Sequence, residues 1–423
     1  MRVLLLTQIL PYPPDAGPRV KTWHVLQHLA QRGHRITIVS FVRPEERAHL
    51  PAVMAHCDRV VAVPLRRSRL ADGWHLLRSR LTGRPFLLIR DDLSRMRGAV
   101  EACLSAGDWD VVHADQLTMT QFVLSPKGAG LHPYRIFDAH NATWTILNRM
   151  ARGSAPAVRA VLGWEAQRIR AYEGRVVRTF EHTLAVSEAD RRDLLAAAAD
   201  GGWVPEEDRI SVVPIAVDTE GVTPVKRSPR GPDILTLGTL HYAPNAEGVR
   251  WFLQHVFPRI LAEIPEARLT IVGRNPPRDF LRLARQRPDR LIVAGYVPDL
   301  TQHLQQAAVV VVPVLSGSGM RVRILEAMAR GMPIVTTNVG REGIDARPGE
   351  GMLVEDSPEG FAAQVVNVLR DPALQARLAK SGRRLAEARY DRRVVLKELD
   401  RAYAPAERPR SPSGSAVRSA EAR

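Results

Sequence analysis

Short runs of leucine and β-branched residues recur along the chain, separated by longer stretches whose apolar positions follow a helical period. In the first half the runs fall at 3–6, 35–41, 60–65, 111–113, 136–139 and 183–186. Between the first two, Val20, Trp23, Leu26 and Ala30 recur at three- and four-residue spacing and Gly33 supplies a stop. That pattern predicts an amphipathic helix over 20–32 docked on a sheet. Strands alternating with helices in this way form βαβ units, and therefore a parallel sheet.

A second series of runs, at 234–237, 269–272, 291–293, 309–314, 333–337 and 352–354, follows a Pro- and Arg-rich stretch over 223–232 that reads as an interdomain linker. After its first run, Val249, Phe252, Val256, Phe257 and Ile260 keep the helical spacing and predict a long helix. Both halves thus read as doubly wound α/β domains. Ligands of such sheets bind beyond the carboxyl ends of the strands, so two sheets facing each other should enclose the active site in a cleft. The expected boundaries are an N-terminal domain over 1–220 and a C-terminal domain over 221–390. A helix over 391–403 is expected to return to the N-terminal domain, and a disordered tail over 404–423 to follow.

Composition narrows the function. A chain of 423 residues, 45% apolar and 25% charged, is globular and long enough for two or three domains. Sixty Lys plus Arg against 45 Asp plus Glu leave a net charge of +15, which favours an anionic partner: nucleic acid, a phosphorylated small molecule or an acidic membrane face. Only five of those bases are lysine in an Ala-rich chain, so base composition is an equal explanation for the charge. With 5% aromatics, no zinc-finger spacing and no helix-turn-helix pattern, nucleic acid is set aside. Cys57 and Cys103 form no disulfide framework and no metal motif, which implies a reducing, cytoplasmic setting and no metal site. No run approaches the roughly 18 apolar residues of a membrane span, so any membrane contact must be peripheral.

The most informative segment is 316–335, Ser-Gly-Ser-Gly-Met-Arg-Val-Arg-Ile-Leu-Glu-Ala-Met-Ala-Arg-Gly-Met-Pro-Ile-Val, directly after the apolar run 309–314. Gly317 and Gly319 allow close backbone approach to a ligand, Ser318 can cap the following helix, and the helix N-terminus offers free N–H groups. Together these make a phosphate seat, to which Arg321 and Arg323 add charge. On a helix those two arginines point about 200° apart, so both meet one pyrophosphate only if Arg321 belongs to the loop or first turn. Glu326, one turn in, is placed to accept from ribose hydroxyls. A plainer alternative is a surface ion pair between Arg323 and Glu326, with Gly331 closing the helix.

This segment resembles the donor-site motif of family 4 retaining glycosyltransferases, which have the two-domain GT-B fold of two Rossmann-like domains facing across a cleft. Weaker matches extend over nearly the whole chain: 11–19 with Gly17, Gly33-His34, Phe137-Asp-Ala-His-Asn141, 186–190, 212–218, and Gly295-Tyr-Val-Pro-Asp299 with Val297. The resemblance implies that Glu326 binds the nucleotide ribose, that Val297 and the Gly317–Gly319 loop hold the donor, and that His140 is the catalytic histidine. Two departures stand out. Many members carry a second glutamate eight positions earlier, where this chain has Ser318, and the Arg and Lys often found after the first strand of the second domain are missing from 238–245. A subgroup resembling sugar transferases of exopolysaccharide assembly carries instead a basic pair where Arg321 and Arg323 stand.

Other residues have two readings each. His140 follows the run 136–139 at a strand's carboxyl end; alone it would be a packed or loop-capping histidine, and position with resemblance makes it catalytic. His113 is either structural or acceptor-side. Gly17 is either a Pro/Gly turn or a backbone amide touching the donor phosphate, with Arg19 near the acceptor. Arginines between Arg66 and Arg97, interleaved with Trp74, Leu76, Leu77, Leu81 and Phe86, form either a solvated helical face or a surface for an anionic membrane. The resulting expectation is a hexosyltransferase that moves sugar from a nucleotide diphosphate sugar to a hydroxyl of a glycan or lipid-linked acceptor with retention. It would act in exopolysaccharide or cell-surface polysaccharide synthesis, at the cytoplasmic face of the membrane, with no cofactor and no metal. The alternatives are an epimerase on the same fold and a non-catalytic nucleotide-sugar-binding protein.

Overall fold

The computed structural model describes residues 1–124, 133–200, 202–203, 206–229, 231–317 and 319–407. The N-terminal strands are β1 (Arg2–Thr7), β2 (Arg35–Val42), β3 (Arg59–Pro64), β4 (Val111–Asp115), β5 (Tyr134–Ala139), β6 (His182–Ala185) and β7 (Ile210–Val212). They pair in parallel in the order β3-β2-β1-β4-β5-β6-β7. Leu4 and Leu6 enter one buried cluster while Val3 and Leu5 enter another on the opposite face. Burial from both sides is why the central strands β1, β2 and β4 are so densely apolar, while the edge strand β3 is largely exposed or half-buried. The short β7, with a serine at its centre, carries no such run and was not expected from the sequence.

The second sheet holds β8 (Asp233–Leu237), β9 (Arg268–Val272), β10 (Leu291–Gly295), β11 (Val309–Val312), β12 (Ile334–Thr336) and β13 (Met352–Val354), again all parallel, in the order β10-β9-β8-β11-β12-β13. The order reverses between β1 and β4 in one sheet and between β8 and β11 in the other. Loops leaving adjacent strands at such a reversal diverge to opposite faces and open a crevice, which places the ligand sites of both domains.

Seven helices frame the cleft and the surface beside it: α1 (Gly17–Gln31), α2 (Arg69–Thr82), α3 (Phe86–Asp91), α4 (Thr143–Arg152), α5 (Pro156–Thr179), α6 (Val322–Ala329) and α7 (Arg392–Glu407). α1 buries every residue from Val20 to Leu26, and Val20 packs in the same cluster as Met320 and Ile324, so apolar contact joins the domains. The helix expected after β8 runs from Ala243 to Glu263 through one wide turn at Phe252–Val256. The 223–232 stretch lies along the second domain: Val225 N donates to Arg330 O at 2.9 Å and Ser228 N to Gln305 O at 2.8 Å.

The chain passes between domains twice, side by side. Val217 N donates to Tyr390 O at 2.8 Å and Arg392 N to Val217 O at 3.0 Å. Between them the buried Asp391 carboxylate accepts from Thr219 and Arg393; burial works to raise its pKa, but these bonds outweigh it and hold it at about 2. α7 then buries Val395, Leu396, Leu399 and Tyr403 against Val3, Leu5 and Val25 of the first domain. Residues 404–407, expected in the disordered tail, are the last turn of α7, whose Ala402 and Tyr403 anchor it; residues 408–423 lie outside the described residues. Among the described residues no helix is long and apolar enough to cross a membrane.

Candidate active site

A cavity of about 690 Å³ opens between the two sheets at their reversals. From the first domain it is lined by Asp15, Ala16, Gly17 and Val20 at the start of α1; from the second by Gly238, Tyr242, Asn245, Val297, Arg321, Arg323 and Glu326, among others. The site is therefore built from the loop after β1 and the loops after β8, β9, β10 and β11. Neither α1 nor α6 has a side-chain cap, and both start at this cavity: a Cβ on Gly17 would lie 3.5 Å from Val322 Cγ2. Two helix N-termini, each with unsatisfied N–H groups and partial positive charge, converge on one space.

The two arginines meet the condition the spacing imposed. Arg321 occupies the N-cap position of α6, outside the helix, and its Nη1 donates to Gly319 O at 2.7 Å. Arg323 reaches back to the first strand of its domain, donating to Leu237 O and to Asn245 Oδ1, both at 3.0 Å. Gly238 makes room for it: a Cβ there would come within 2.4 Å of Arg323 Nη1. Arg323 thus occupies the segment from which the sequence lacks its own bases. Burial and then repulsion from Arg321 push its pKa down to about 10; burial also lowers that of Arg321. Two cations crowded together and withdrawn from water form a site whose electrostatics favour an incoming anion.

Glu326 forms no ion pair with Arg323 among the described residues, since the Arg323 guanidinium turns to Leu237 O and Asn245 Oδ1, so the surface-pair alternative fails; Gly331, at φ +67°, does close the helix. Glu326 projects into the cavity, and partial loss of water to the surrounding walls raises its pKa. Ser318 lies outside the described residues, and the helix begins four positions later, with Arg321 rather than Ser318 at its cap. Gly317 and Gly319 have φ of +102° and +82°. A Cβ on Gly319 would sit 2.5 Å from Asn141 Oδ1, so this loop is pressed against the first domain. Arg149 on α4 adds an ion pair to Glu342 at 2.6 Å and a long contact to Gly317 O at 3.5 Å.

His140 does not line the cavity. It is 8% exposed, with Nε2 2.8 Å from Asp115 Oδ1 and Nδ1 buried without a partner among the described residues. Thr22 Oγ1 reaches the same Asp115 oxygen at 2.9 Å. His113, one of whose readings was acceptor-side, is fully buried and bonds Tyr403 of α7 at 2.7 Å through Nδ1, which leaves it the structural role. Arg19 stands beside the cavity with its guanidinium taken by Glu46 and Asp15.

Lys21 and Asp115, the partners of Asp138 and His140, were not singled out in the sequence. Lys21 is 2% exposed and donates to Asp138, and its charge outweighs burial to hold Asp138 below the ordinary carboxylate range. The available signal was a lysine next to the apolar positions Val20 and Trp23 of α1. Asp115, Asp138 and His140 offer three ligand atoms within 4.8 Å of one another, a spacing that suits a metal ion. With Lys21 on Asp138, a side chain already supplies cationic charge to that cluster. A second hollow of about 620 Å³, between α4, α5 and the helix Glu188–Ala199, shares no lining residue with the first. Its arginines are engaged, Arg170 with Asp200 and Arg178 with Ala198 O.

Comparison with known proteins agrees with this geometry. Residues 231–371 match the family model of group 1 glycosyl transferases. A phosphatidyl-myo-inositol mannosyltransferase of Mycolicibacterium smegmatis is 24% identical over 408 residues, 93% of this chain and 92% of that protein. An uncharacterized 44.6 kDa protein in the cps region of Klebsiella pneumoniae is 25% identical over 173 residues, 40% of this chain and 45% of that protein, so the chain spans about half the length of that relative. Among solved structures, Anabaena HepE in complex with UDP and glucose superposes with a TM-score of 0.63 at 14% identity, covering 96% of this chain and all of that one. Sucrose-phosphate synthase of Thermosynechococcus elongatus gives 0.68 at 17%, covering 96% and 99%. With a group 1 glycosyl transferase domain behind the cavity and two parallel sheets facing across it, the chain is a glycosyltransferase of GT-B fold.

Proposed function

We propose that the enzyme transfers a hexose from a nucleotide diphosphate sugar to a hydroxyl of a glycan or lipid-linked acceptor, with retention at the anomeric carbon and without a metal, as a family 4 enzyme. The observation that carries this reading is the convergence of Arg321, Arg323, Glu326 and two uncapped helix N-termini on one cavity. The arginines and helix ends hold the diphosphate and stabilise the charge that grows on it as the bond from the anomeric carbon to the phosphate oxygen breaks. Glu326 accepts from the ribose hydroxyls, and the backbone at Val297 borders the base. The acceptor oxygen bonds the anomeric carbon from the face the diphosphate leaves, and its proton passes to the departing phosphate oxygen. His140, its Nε2 held by Asp115, serves the sugar side once the two domains close on the donor.

A role in exopolysaccharide or cell-surface polysaccharide synthesis, at the cytoplasmic face of the membrane, is supported by the Klebsiella relative from a cps region and by the mannosyltransferase named for a phosphatidyl-inositol acceptor. The epimerase alternative needs acid and base carboxylates in the first domain. Asp115 and Asp138 are there, but both are buried and tied to His140 and Lys21. Proton NMR of the sugar released or transferred tests the reading: the reaction should conserve the donor's anomeric configuration, and an inverted product or a C2 epimer of the donor would overturn it.

A further inference from the structure

Away from the cleft, α2 shows solvent a row of large apolar side chains. Leu70 is 89% exposed, Trp74 64%, Leu77 49% and Leu81 77%, and these positions recur at i, i+4, i+7 and i+11, a single stripe along the helix. Only Ser79 of α2 is buried. A stripe of this kind ordinarily packs on something, and here what it packs on is not part of the described chain. The neighbouring tip of α5 continues it with Val158, Val161 and Trp164, all exposed. The two helices are fastened together, since Arg168 on α5 donates to Ser79 O and Gly83 O, and Arg80 on α2 stands 5.1 Å over the Trp164 ring.

The stripe is edged with positive charge. Arg66, Arg69 and Arg78 are exposed and make no ion pair among the described residues, and Asp72 is the one acid on α2. The face also lies at the carboxyl end of the first sheet, where the cavity opens. α3, which packs on α2, bonds Gln8 after β1 through Asp91, and Arg84 reaches Gln121 after β4.

We propose that the face formed by α2 and the tip of α5 docks on an anionic lipid surface, with the stripe entering the headgroup boundary and the arginines on acidic headgroups. Arginines at the edge of an apolar stripe suit this occupant because their stems lie along apolar surface while their charges reach the phosphates. A second copy of the chain fits poorly, since a two-fold contact would set these arginines against themselves. Docked this way, the cleft would open towards the membrane. The link to the reaction rests on the proposed lipid-linked acceptor; the docking does not.

Flotation of the full-length protein with vesicles tests this, using phosphatidylcholine alone against equal parts phosphatidylcholine and phosphatidylglycerol. Binding should be at least about tenfold tighter to the acidic vesicles and weaken with salt. It should fall about tenfold when Arg66, Arg69 and Arg78 are all changed to alanine. Leu77→Ser with Leu81→Ser should weaken it with the charges intact, and thermal melting confirms that these surface variants fold. Equal binding to both vesicles, or acidic-vesicle binding untouched by either variant, would overturn the proposal. So would self-association in sedimentation that Leu70→Asp abolishes, without vesicle binding. Donor binding measured without vesicles reports separately on the transferase reading.

Discussion

Asp115 Oδ1 holds the His140 ring at 2.8 Å through Nε2 while accepting Thr22 Oγ1 at 2.9 Å. A carboxylate accepts, so Nε2 is the donor of this bond. On the proposed function, His140→Ala should lower turnover about a hundredfold or more, the usual worth of a positioned acid–base group. Asp115→Ala, which frees the ring, should cost on the order of tenfold with the donor KM nearly unchanged. Steady-state kinetics with the donor varied separates the two parameters. A rise in KM alone would place the pair in donor binding.

Arg323 makes two bonds at once, to Leu237 O and Asn245 Oδ1. A lysine cannot span both with one ammonium and still face a diphosphate. Arg323→Lys should therefore weaken nucleoside diphosphate binding nearly as much as Arg323→Ala, by about ten- to a hundredfold. Titration calorimetry with UDP and GDP checks this, and full affinity in the lysine variant would show that charge alone is used.

Gly319→Ala tests the contact between domains. Its φ of +82° and the 2.5 Å approach of Asn141 Oδ1 both oppose a Cβ. The left-handed backbone alone costs about 1–2 kcal/mol, so denaturant melts should shift by at least that amount. Adding Asn141→Ala should recover the part due to crowding and leave the part due to φ.

Glu173 supplies a pH dependence. It is fully buried in α5 and accepts from Thr143 N at 2.7 Å and Trp144 N at 3.2 Å, holding the first turn of α4 just beyond His140 and Asn141. Burial, only partly offset by these bonds, pushes its pKa from 4.5 up to about 7. Because the folded value is the higher one, its contribution to stability is complete below the unfolded pKa and is lost as pH rises through about 7. The loss is roughly 3 kcal/mol. Melts across this window should show wild-type stability falling where that of Glu173→Gln stays flatter.

The central strands, such as β1 and β11, were readable because they are buried on both faces and so carry unbroken apolar runs; β7, three residues with a central serine, has none. The phosphate seat was readable because its glycines, arginines and glutamate lie within ten residues of one another. What local sequence could not show is what arrives from far along the chain. Tyr403 meets His113 from 290 residues away, and Lys21 reaches Asp138 from 117 away. Nor could local sequence show that the helix is capped at Arg321, after a glycine loop whose Gly319 meets Asn141 of the other domain. His140 was placed at the right strand end, while its burial against Asp115 could be seen only in three dimensions.

The cavity around Arg321, Arg323 and Glu326 is, at the centre of the proposed function, the seat of a nucleotide diphosphate sugar. Calorimetric titration of the full-length protein with a panel of UDP-, GDP- and ADP-sugars, alongside Glu326→Ala, tests this most directly. Saturable one-to-one binding of at least one donor is expected, weakened about tenfold or more in Glu326→Ala by loss of the ribose hydrogen bonds. Absence of binding by every donor, or binding that Glu326→Ala leaves untouched, would contradict it.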